Sequence, residues 1–284
     1  MLHTQFLLRS LVTLLLVSCS SQSPRLADTE VAPDAVVSAQ REAELDDFVL
    51  GNFTFVLIHE LAHVVLSEKQ IPVLGSHESA ADNIATVLLT SGEQFNVRNP
   101  EKFRKFAGSA LQAFDKSWQM STDMNQAIPY WDTHSLGIQR YYSILCLMSG
   151  GHTNNSNLKL TRSPDLPPSR AAGCEYEYKQ ALQGAKWILN NYGLQPGQVS
   201  GAKARFEYGQ PRSLRQQHYL KLITEQGLFE YTVNELTTRF ALPDQFTARI
   251  MSCRRPEAAW QPEKRELVIC YEIFDAFEQI YFAE

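Results

Sequence analysis

A long apolar segment that carries two histidines and a glutamate in its second half constrains the fold more than any other part of the sequence. Residues 46 to 67 are mostly apolar, and Phe53-Thr54-Phe55-Val56-Leu57-Ile58 runs directly into His59-Glu60-Leu61-Ala62-His63. This length and composition predict a helix that is buried on most of its faces. Two imidazoles and a carboxylate are costly to bury without partners, so they argue against a membrane span and indicate a chemical site.

The spacing of these three side chains fits a zinc site. His59 and His63 are four residues apart, so on a helix they lie about 40° apart around the axis and roughly 6 Å along it. In this H-E-x-x-H arrangement the two histidines bind zinc, and Glu60 acts as general base on the attacking water. The alternative is a core helix whose histidines only form hydrogen bonds.

A third ligand is expected on the next helix. Ser76 is the predicted N-cap of a helix over residues 78 to 90, and Glu78 on that helix would complete a His₂Glu set that leaves one position for water. Asp82, one turn later on the same face, would accept the other ring N–H of a ligating histidine and fix its tautomer. His77 is the competing ligand, ranked lower because no carboxylate follows it at a matching spacing.

The same residues resemble two groups of proteins. In the gluzincins, the thermolysin-like zincins, H-E-x-x-H is followed by E-x-x-x-D with these roles. Most of the chain also resembles a family described as "putative metallopeptidase". The matching residues are Leu57 to His63, Leu74-Gly75, Glu78, Asp82, His134, Gln139-Arg140, Cys146 and Cys270-Tyr271-Glu272. That family has an Asn-Ala-aromatic segment where this chain has Glu257-Ala258-Ala259-Trp260, so no substrate-binding Asn is carried over.

The resemblance implies an α+β, zincin-like fold, mostly helical, with a small β-sheet supplied largely by the C-terminal segment. It also implies a zinc-dependent metallopeptidase acting on a polypeptide substrate, in which Glu60 passes the proton of the water to the leaving amine. His134 could donate to the developing oxyanion, or it could only hydrogen-bond locally at the start of a helix. Two alternatives stay open: a zinc amidase acting on peptidoglycan, and a non-catalytic zinc-binding envelope lipoprotein.

The N-terminus predicts export and lipidation. Residues 1–18 read as a signal peptide whose apolar run is too short to span a bilayer. The sequence around the end of this segment, Leu16-Val17-Ser18-Cys19, resembles the lipobox of bacterial lipoproteins, in which the Cys is diacylated. A plain secretory signal is the alternative. We expect Cys19 to anchor the chain through a flexible tether, 19–45, to the outer membrane facing the periplasm, because Ser20 and not Asp follows it.

The other cysteines and the charge agree with an exported protein. Four cysteines besides Cys19 predict two disulfides, and pairing Cys146 with Cys174 and Cys253 with Cys270 closes the shortest loops. The net charge of −5 and the absence of a basic run argue against nucleic acid as a partner.

Residues 46–284 are expected to form a single domain, with a helical part over 46–192 and a β-containing part over 201–284. Strands are predicted at 204–208, 246–253 and 266–270. Zincins of this type lay a sheet edge beside the H-E-x-x-H helix, and no strand signal precedes that helix here. The C-terminal segment should therefore fold back over the helix and bring Trp260 or its neighbours near the cleft.

Overall fold

The computed structural model describes residues 33–95, 97–124, 127–151, 166–195, 197–200, 203–242 and 246–283. These residues form an α+β fold with a mainly helical first part and a small mixed sheet in the second. The helices are α1 (Pro33–Glu68), α2 (His77–Thr90), α3 (Pro100–Asp123), α4 (Gly137–Gly151), α5 (Pro168–Ala171), α6 (Cys174–Tyr192), α7 (Leu214–Glu225), α8 (Leu228–Arg239) and α9 (Glu272–Phe282). The strands are β1 (Arg205–Tyr208), β2 (Thr247–Met251), β3 (Ala258–Gln261) and β4 (Glu266–Cys270), and Gly92–Phe95 is a 3₁₀ turn.

Helix α1 is the central helix of the core. Its segment from Ser38 to Glu68 is long and apolar enough to cross a membrane by length and composition, but 89% of its most apolar window is buried inside the protein. It contacts α2, α3, α8, α9 and strands β3 and β4. A Cβ at Gly51 would lie 2.7 Å from the Cβ of Ser109, so this glycine allows α3 to pack closely. The apolar segment is therefore covered by protein, as its ionisable side chains suggested.

The start of α1 differs from the prediction. Residues 33–45 were assigned to the flexible tether, but they are helical, and Leu45 is buried. Charged groups help to hold this region of the helix: Glu42 pairs with Arg215, and the adjoining Asp46 lies 2.7 Å from Nε2 of His218, both on α7. Residues 1–32, with the predicted signal peptide and Cys19, lie outside the described residues.

The helical part follows the sequence signals closely. Ser76 caps α2 by accepting a hydrogen bond from the N–H of Glu78 at 3.2 Å, as predicted. A disulfide between Cys146 and Cys174 joins α4 to the start of α6. The disulfide ties α4 to α6, and both of these helices contact α2.

The sheet has the strand order β1-β2-β4-β3. Strands β1, β2 and β4 are parallel, and β3 pairs antiparallel with β4 at one edge. The second predicted disulfide, Cys253–Cys270, joins the segment after β2 to the end of β4. Strand β3 was not predicted. It lies against α1, so the C-terminal segment does fold back over the helix that carries the histidines.

Candidate metal centre

Helices α1 and α2 bring the three predicted ligands together. Nε2 of His59 lies 3.2 Å from Nε2 of His63 and 3.2 Å from Oε2 of Glu78, and Nε2 of His63 lies 3.1 Å from the same oxygen. The two histidines share one face of α1 because they are one helical turn apart. The exposed His77 begins α2, and it is Glu78, one residue later, that turns toward α1.

Asp82 holds the ring of His59. Oδ1 of Asp82 accepts a hydrogen bond from Nδ1 of His59 at 2.9 Å, which leaves Nε2 of the ring facing His63 and Glu78. The guanidinium of Arg140 on α4 donates to both oxygens of Asp82, at 2.7 and 2.8 Å. It also stacks over the ring of Phe114 on α3, 4.3 Å from its centroid. A chain of contacts from α3 and α4 therefore fixes the orientation of His59.

The electrostatics of these groups suit a cation. Hydrogen bonds from His134, His59 and His63 hold the pKa of Glu78 far below its ordinary value. Burial acts to raise the pKa of Asp82, but hydrogen bonds from His59 and Arg140 outweigh it and lower that pKa. Burial lowers the pKa of His59, yet its bonds to Asp82 and Glu78 raise it to about 9 overall. A metal ion would bind here in competition with protons.

The carboxylate of Glu60 lies beside the centre and is buried, with 9% of the residue exposed. One of its oxygens accepts a hydrogen bond from the main-chain N–H of Trp260 on β3 at 3.0 Å, across 200 residues of sequence. Burial raises the pKa of Glu60 despite the nearby imidazoles and this N–H. The main chain of the C-terminal segment thus contacts the centre. The sequence predicted that this segment lies near the cleft, but it did not predict this hydrogen bond.

A loop before α4 brings His134 to the same place. Nε2 of His134 lies 2.8 Å from Oε2 of Glu78, and its Nδ1 lies 3.2 Å from Oδ1 of Asp132. The N–H of His134 donates to that same Asp132 oxygen at 2.8 Å, and the hydroxyl of Ser76 donates to the carbonyl of Thr133 at 3.3 Å. These bonds hold the loop against the start of α2. The pairing of Asp132 with His134 was not predicted.

The donor set fits a divalent metal. With metal–ligand distances of about 2.0–2.1 Å, the ligand atoms of a tetrahedral site lie roughly 3.3 Å apart. The three separations between His59, His63 and Glu78 match this spacing. The ligand atoms of His59, Glu78 and His134 also lie within 4.8 Å of one another, so His134 is a competing ligand.

Two other groups of candidate ligands occur among the described residues. One contains Cys253 and Cys270, whose sulfurs are bonded to each other and are not available as thiolates. The other contains Glu42, Asp46 and His218, where α1 pairs with α7. Of these groups among the described residues, only the one at His59 combines converging imidazoles with a further buried carboxylate beside them. Its geometry is that of a candidate metal site with the carboxylate of Glu60 next to it.

Comparison with known proteins agrees with this class of site. The chain belongs to the DUF4344 family, described as "Putative metallopeptidase", whose sequence pattern matches residues 28–188 and 208–284. The matched ranges include every residue of the centre described above. No curated protein and no solved structure matches the chain.

Proposed function

We propose that this protein is a zinc-dependent metallopeptidase of the gluzincin type, with a zincin-like fold, that hydrolyses peptide bonds in the bacterial cell envelope. The observation that carries this proposal is the convergence of two imidazole nitrogens and one carboxylate oxygen within 3.2 Å, next to a separate buried carboxylate. Three ligands of this kind leave one position open for chemistry, whereas structural zinc sites are usually closed by four protein ligands.

His59, His63 and Glu78 would hold the zinc. When bound, zinc supplies Lewis acidity that activates water and polarises a carbonyl group. Asp82 keeps the Nδ1 proton on His59, so Nε2 of that ring carries the lone pair that a metal needs. Arg140 neutralises Asp82 by donating to both of its oxygens and so prevents the carboxylate from turning away from His59.

Glu60 is the general base. Burial raises the pKa of Glu60 toward neutral pH. A carboxylate with such a pKa can both accept a proton and later return it. The carboxylate takes a proton from the attacking water and delivers it to the leaving amine. The N–H of Trp260 holds one oxygen and leaves the other for this proton transfer.

In this proposal His134 assists at the carbonyl oxygen. Its Nδ1 is held by Asp132, and Nε2 faces the centre. Its side chain is 44% exposed, so this nitrogen can leave Glu78 when substrate enters. A hydrogen-bond donor at the developing oxyanion stabilises the transition state in reactions of this class.

Strand β3 supports binding of an extended polypeptide. The N–H of Trp260 points away from β4 and toward Glu60. Because main-chain groups alternate sides along a strand, those of Ala258 face the same way. Since the N–H of Trp260 is engaged with Glu60, a substrate strand would pair with the main chain of Ala258 on this edge, which would bring its carbonyl group close to Glu60.

The decisive experiment compares the purified protein with its Glu60→Gln variant. The parent should contain about one zinc per chain. The variant should keep that zinc, and its kcat on a peptide mixture should fall by about 10²–10⁴-fold because the base is lost. Glu44→Gln, an exposed change on the same helix, is the matched control. A protein without zinc in either form would refute the proposal, and cleavage of purified peptidoglycan but not peptides would favour an amidase.

We further propose anchorage through Cys19 to the outer membrane, facing the periplasm. The lipobox-like Leu16-Val17-Ser18-Cys19 supports the anchor, and two disulfides support an oxidising compartment. Replacing Cys19 with Ser should release the protein from the membrane fraction or block its processing. Normal processing with unchanged fractionation would contradict this assignment.

A further inference from the structure

An apolar cavity lies against a different face of α1 from the metal centre. It has a volume of about 110 Å³ and lies between α1, α2, α3, α6, α8 and the 3₁₀ turn after α2. On α1 its wall is formed by Ile58, Leu61, Ala62 and Val65, which share one side of the helix. The cavity therefore uses the helix that carries the histidines but not the space beside the metal ligands.

The size and lining of this cavity favour a single aliphatic chain. Its wall consists mainly of aliphatic and aromatic side chains from several helices, such as Leu88, Phe103, Ile188 and Leu236. An apolar cavity of roughly 150 Å³ stays dry and takes up benzene, so a space of about 110 Å³ can hold part of one chain. Peptides and larger ligands need about 300–1,000 Å³. The occupant is therefore narrow and apolar.

The polar residues of the cavity wall all lie on α8. The side chains of Glu235 and Arg239 form an ion pair at 3.0 Å and are 43% and 30% exposed, so they lie at the mouth of the cavity. The hydroxyl of Tyr231 accepts a hydrogen bond from the main-chain N–H of Arg98 at 3.1 Å. Oγ1 of Thr232 is buried without a hydrogen-bond partner among the described residues. The charged groups are thus at the edge of the cavity, and its interior is apolar apart from hydroxyl groups.

Further positive charges lie around the mouth. The guanidinium of Arg98 is 5.0 Å from the centroid of the Tyr231 ring, and Lys186 follows a lining residue of α6 directly in sequence. Neither cation has a carboxylate partner among the described residues. Glu93, in the nearby 3₁₀ turn, is already paired with Arg104 at 2.9 Å. A carboxylate placed at the mouth would therefore gain charge-assisted hydrogen bonds from these cations.

We propose that this cavity is a binding site for a free fatty acid. The end of its aliphatic chain lies between α1, α6 and α8, and its carboxylate lies near Arg98 and Lys186. This site is separate from the candidate metal centre, and the proposal does not depend on peptidase activity. Because the chain contacts both helices that carry metal ligands, binding should stabilise the folded protein.

Titration of the parent with decanoate, below its micelle concentration, tests the site by calorimetry. One decanoate should bind per chain, and the melting temperature should rise with its concentration. Octanoate should bind about 10-fold more weakly, because each buried methylene group changes the affinity by roughly fourfold. Decanol, which has no negative charge, should also bind about 10-fold more weakly.

A variant that fills the cavity tests the position of the chain. Ala185 lines the cavity from α6, so Ala185→Phe should weaken binding of decanoate and decanol alike by about 10-fold or more, since the ring displaces several methylene groups. Gln183→Phe adds the same ring at an exposed position of α6 and should bind both ligands as the parent does. Ala185→Leu replaces Ala185→Phe if melting curves show that the larger residue disturbs the fold.

Removal of the two cations tests the position of the carboxylate. The double variant Arg98→Gln, Lys186→Gln should weaken binding of decanoate by about 10-fold and leave binding of decanol unchanged. Lys179→Gln, an exposed change on α6, is the matched control. Equal weakening of decanoate and decanol in the double variant would refute the placement of the carboxylate.

A chelator separates this site from the metal centre, because a carboxylate could also bind a metal ion. Decanoate should bind equally well before and after the chelator has removed any bound metal. Loss of binding after chelation would assign the ligand to the metal centre and overturn the proposal. The same holds if decanoate does not bind, if folded Ala185→Phe binds it as the parent does, or if the protein binds only vesicles of diacyl phospholipid.

Discussion

The helical part and the C-terminal part contribute different kinds of group to the candidate site. The helical part supplies every proposed metal ligand through side chains, and His59 and Glu78 are only 19 residues apart. The C-terminal part supplies a main-chain N–H to Glu60, and residues of α9 line the space beside this carboxylate. Metal binding should therefore depend on the side chains of the first part, and the position of the base on the second. Three predictions test this division.

The largest effect should come from deleting the C-terminal part. A chain that ends at residue 245 loses β2, β3, β4 and α9, and with them core residues such as Ile250, Ile269 and Phe274. Uncovering α1 should abolish cooperative unfolding and activity, because each large buried side chain contributes about 1.5–3 kcal/mol. Circular dichroism melting curves and zinc analysis measure the result. A chain that begins at residue 33 is the control and should keep both properties.

If the truncated chain stays soluble, binds zinc and retains full activity, the two parts are independent and this interpretation of the fold is wrong. If it folds and binds zinc but has no activity, metal binding needs only the helical part, and the C-terminal part is needed for catalysis alone. The second result would show that the metal centre forms without the sheet.

Changes to the metal ligands should have a smaller but selective effect. Glu78→Ala should remove zinc. Asp82→Ala should weaken zinc affinity by ~10 to 100-fold, because the side chain of Asp82 orients His59 and does not itself bind the metal. His134→Gln should retain zinc and lower kcat. Titration against a chelator of known affinity measures these differences, with His77→Ala as the control. Normal zinc binding in Glu78→Ala together with its loss in His77→Ala or His134→Gln would reassign the third ligand.

The smallest effect should follow from removing one main-chain donor. Trp260→Pro deletes the N–H that holds Glu60, and an edge strand tolerates proline where the N–H points away from its neighbour. A hydrogen bond to a charged group is worth about 1.5–3 kcal/mol, so kcat should fall by roughly 10-fold or more while zinc content stays constant. Trp260→Phe keeps the N–H and should leave kcat nearly unchanged. Equal kcat values in both variants would remove Trp260 from the catalytic arrangement.

The sequence predicted those features that depend on neighbouring residues. The cap at Ser76, the helix over the metal ligands and a contact of Asp82 with a ligating histidine follow from short-range spacing, although which histidine was not predicted. The two disulfides were also predicted, because the cysteines form pairs that close short loops. The residues of the cap and the helix are close in sequence, and each of these four cysteines has only three others with which it can pair.

The features that were missed depend on distant partners. Strand β3 has the sequence Ala-Ala-Trp-Gln, which lacks an alternating or β-branched pattern, and it becomes a strand because β4 and α1 flank it. Around Glu42 and Asp46, α1 is held in part by ion pairs with Arg215 and His218 on α7. The bidentate contact of Arg140 with Asp82 crosses 58 residues, and no local spacing rule reveals it.

The long separation between Glu60 and Trp260 has a consequence for the order in which the protein matures. Ribosomes make the N-terminal part first, and contacts between residues far apart in sequence form slowly because a long loop must close. The contacts among the proposed metal ligands span at most 19 residues, so they should form sooner during folding than the contact with Trp260. The base acquires its fixed position only when the strand that carries Trp260 is in place. The base is therefore the last part of the proposed active site to be fixed, so an incompletely folded chain should not cleave its neighbours.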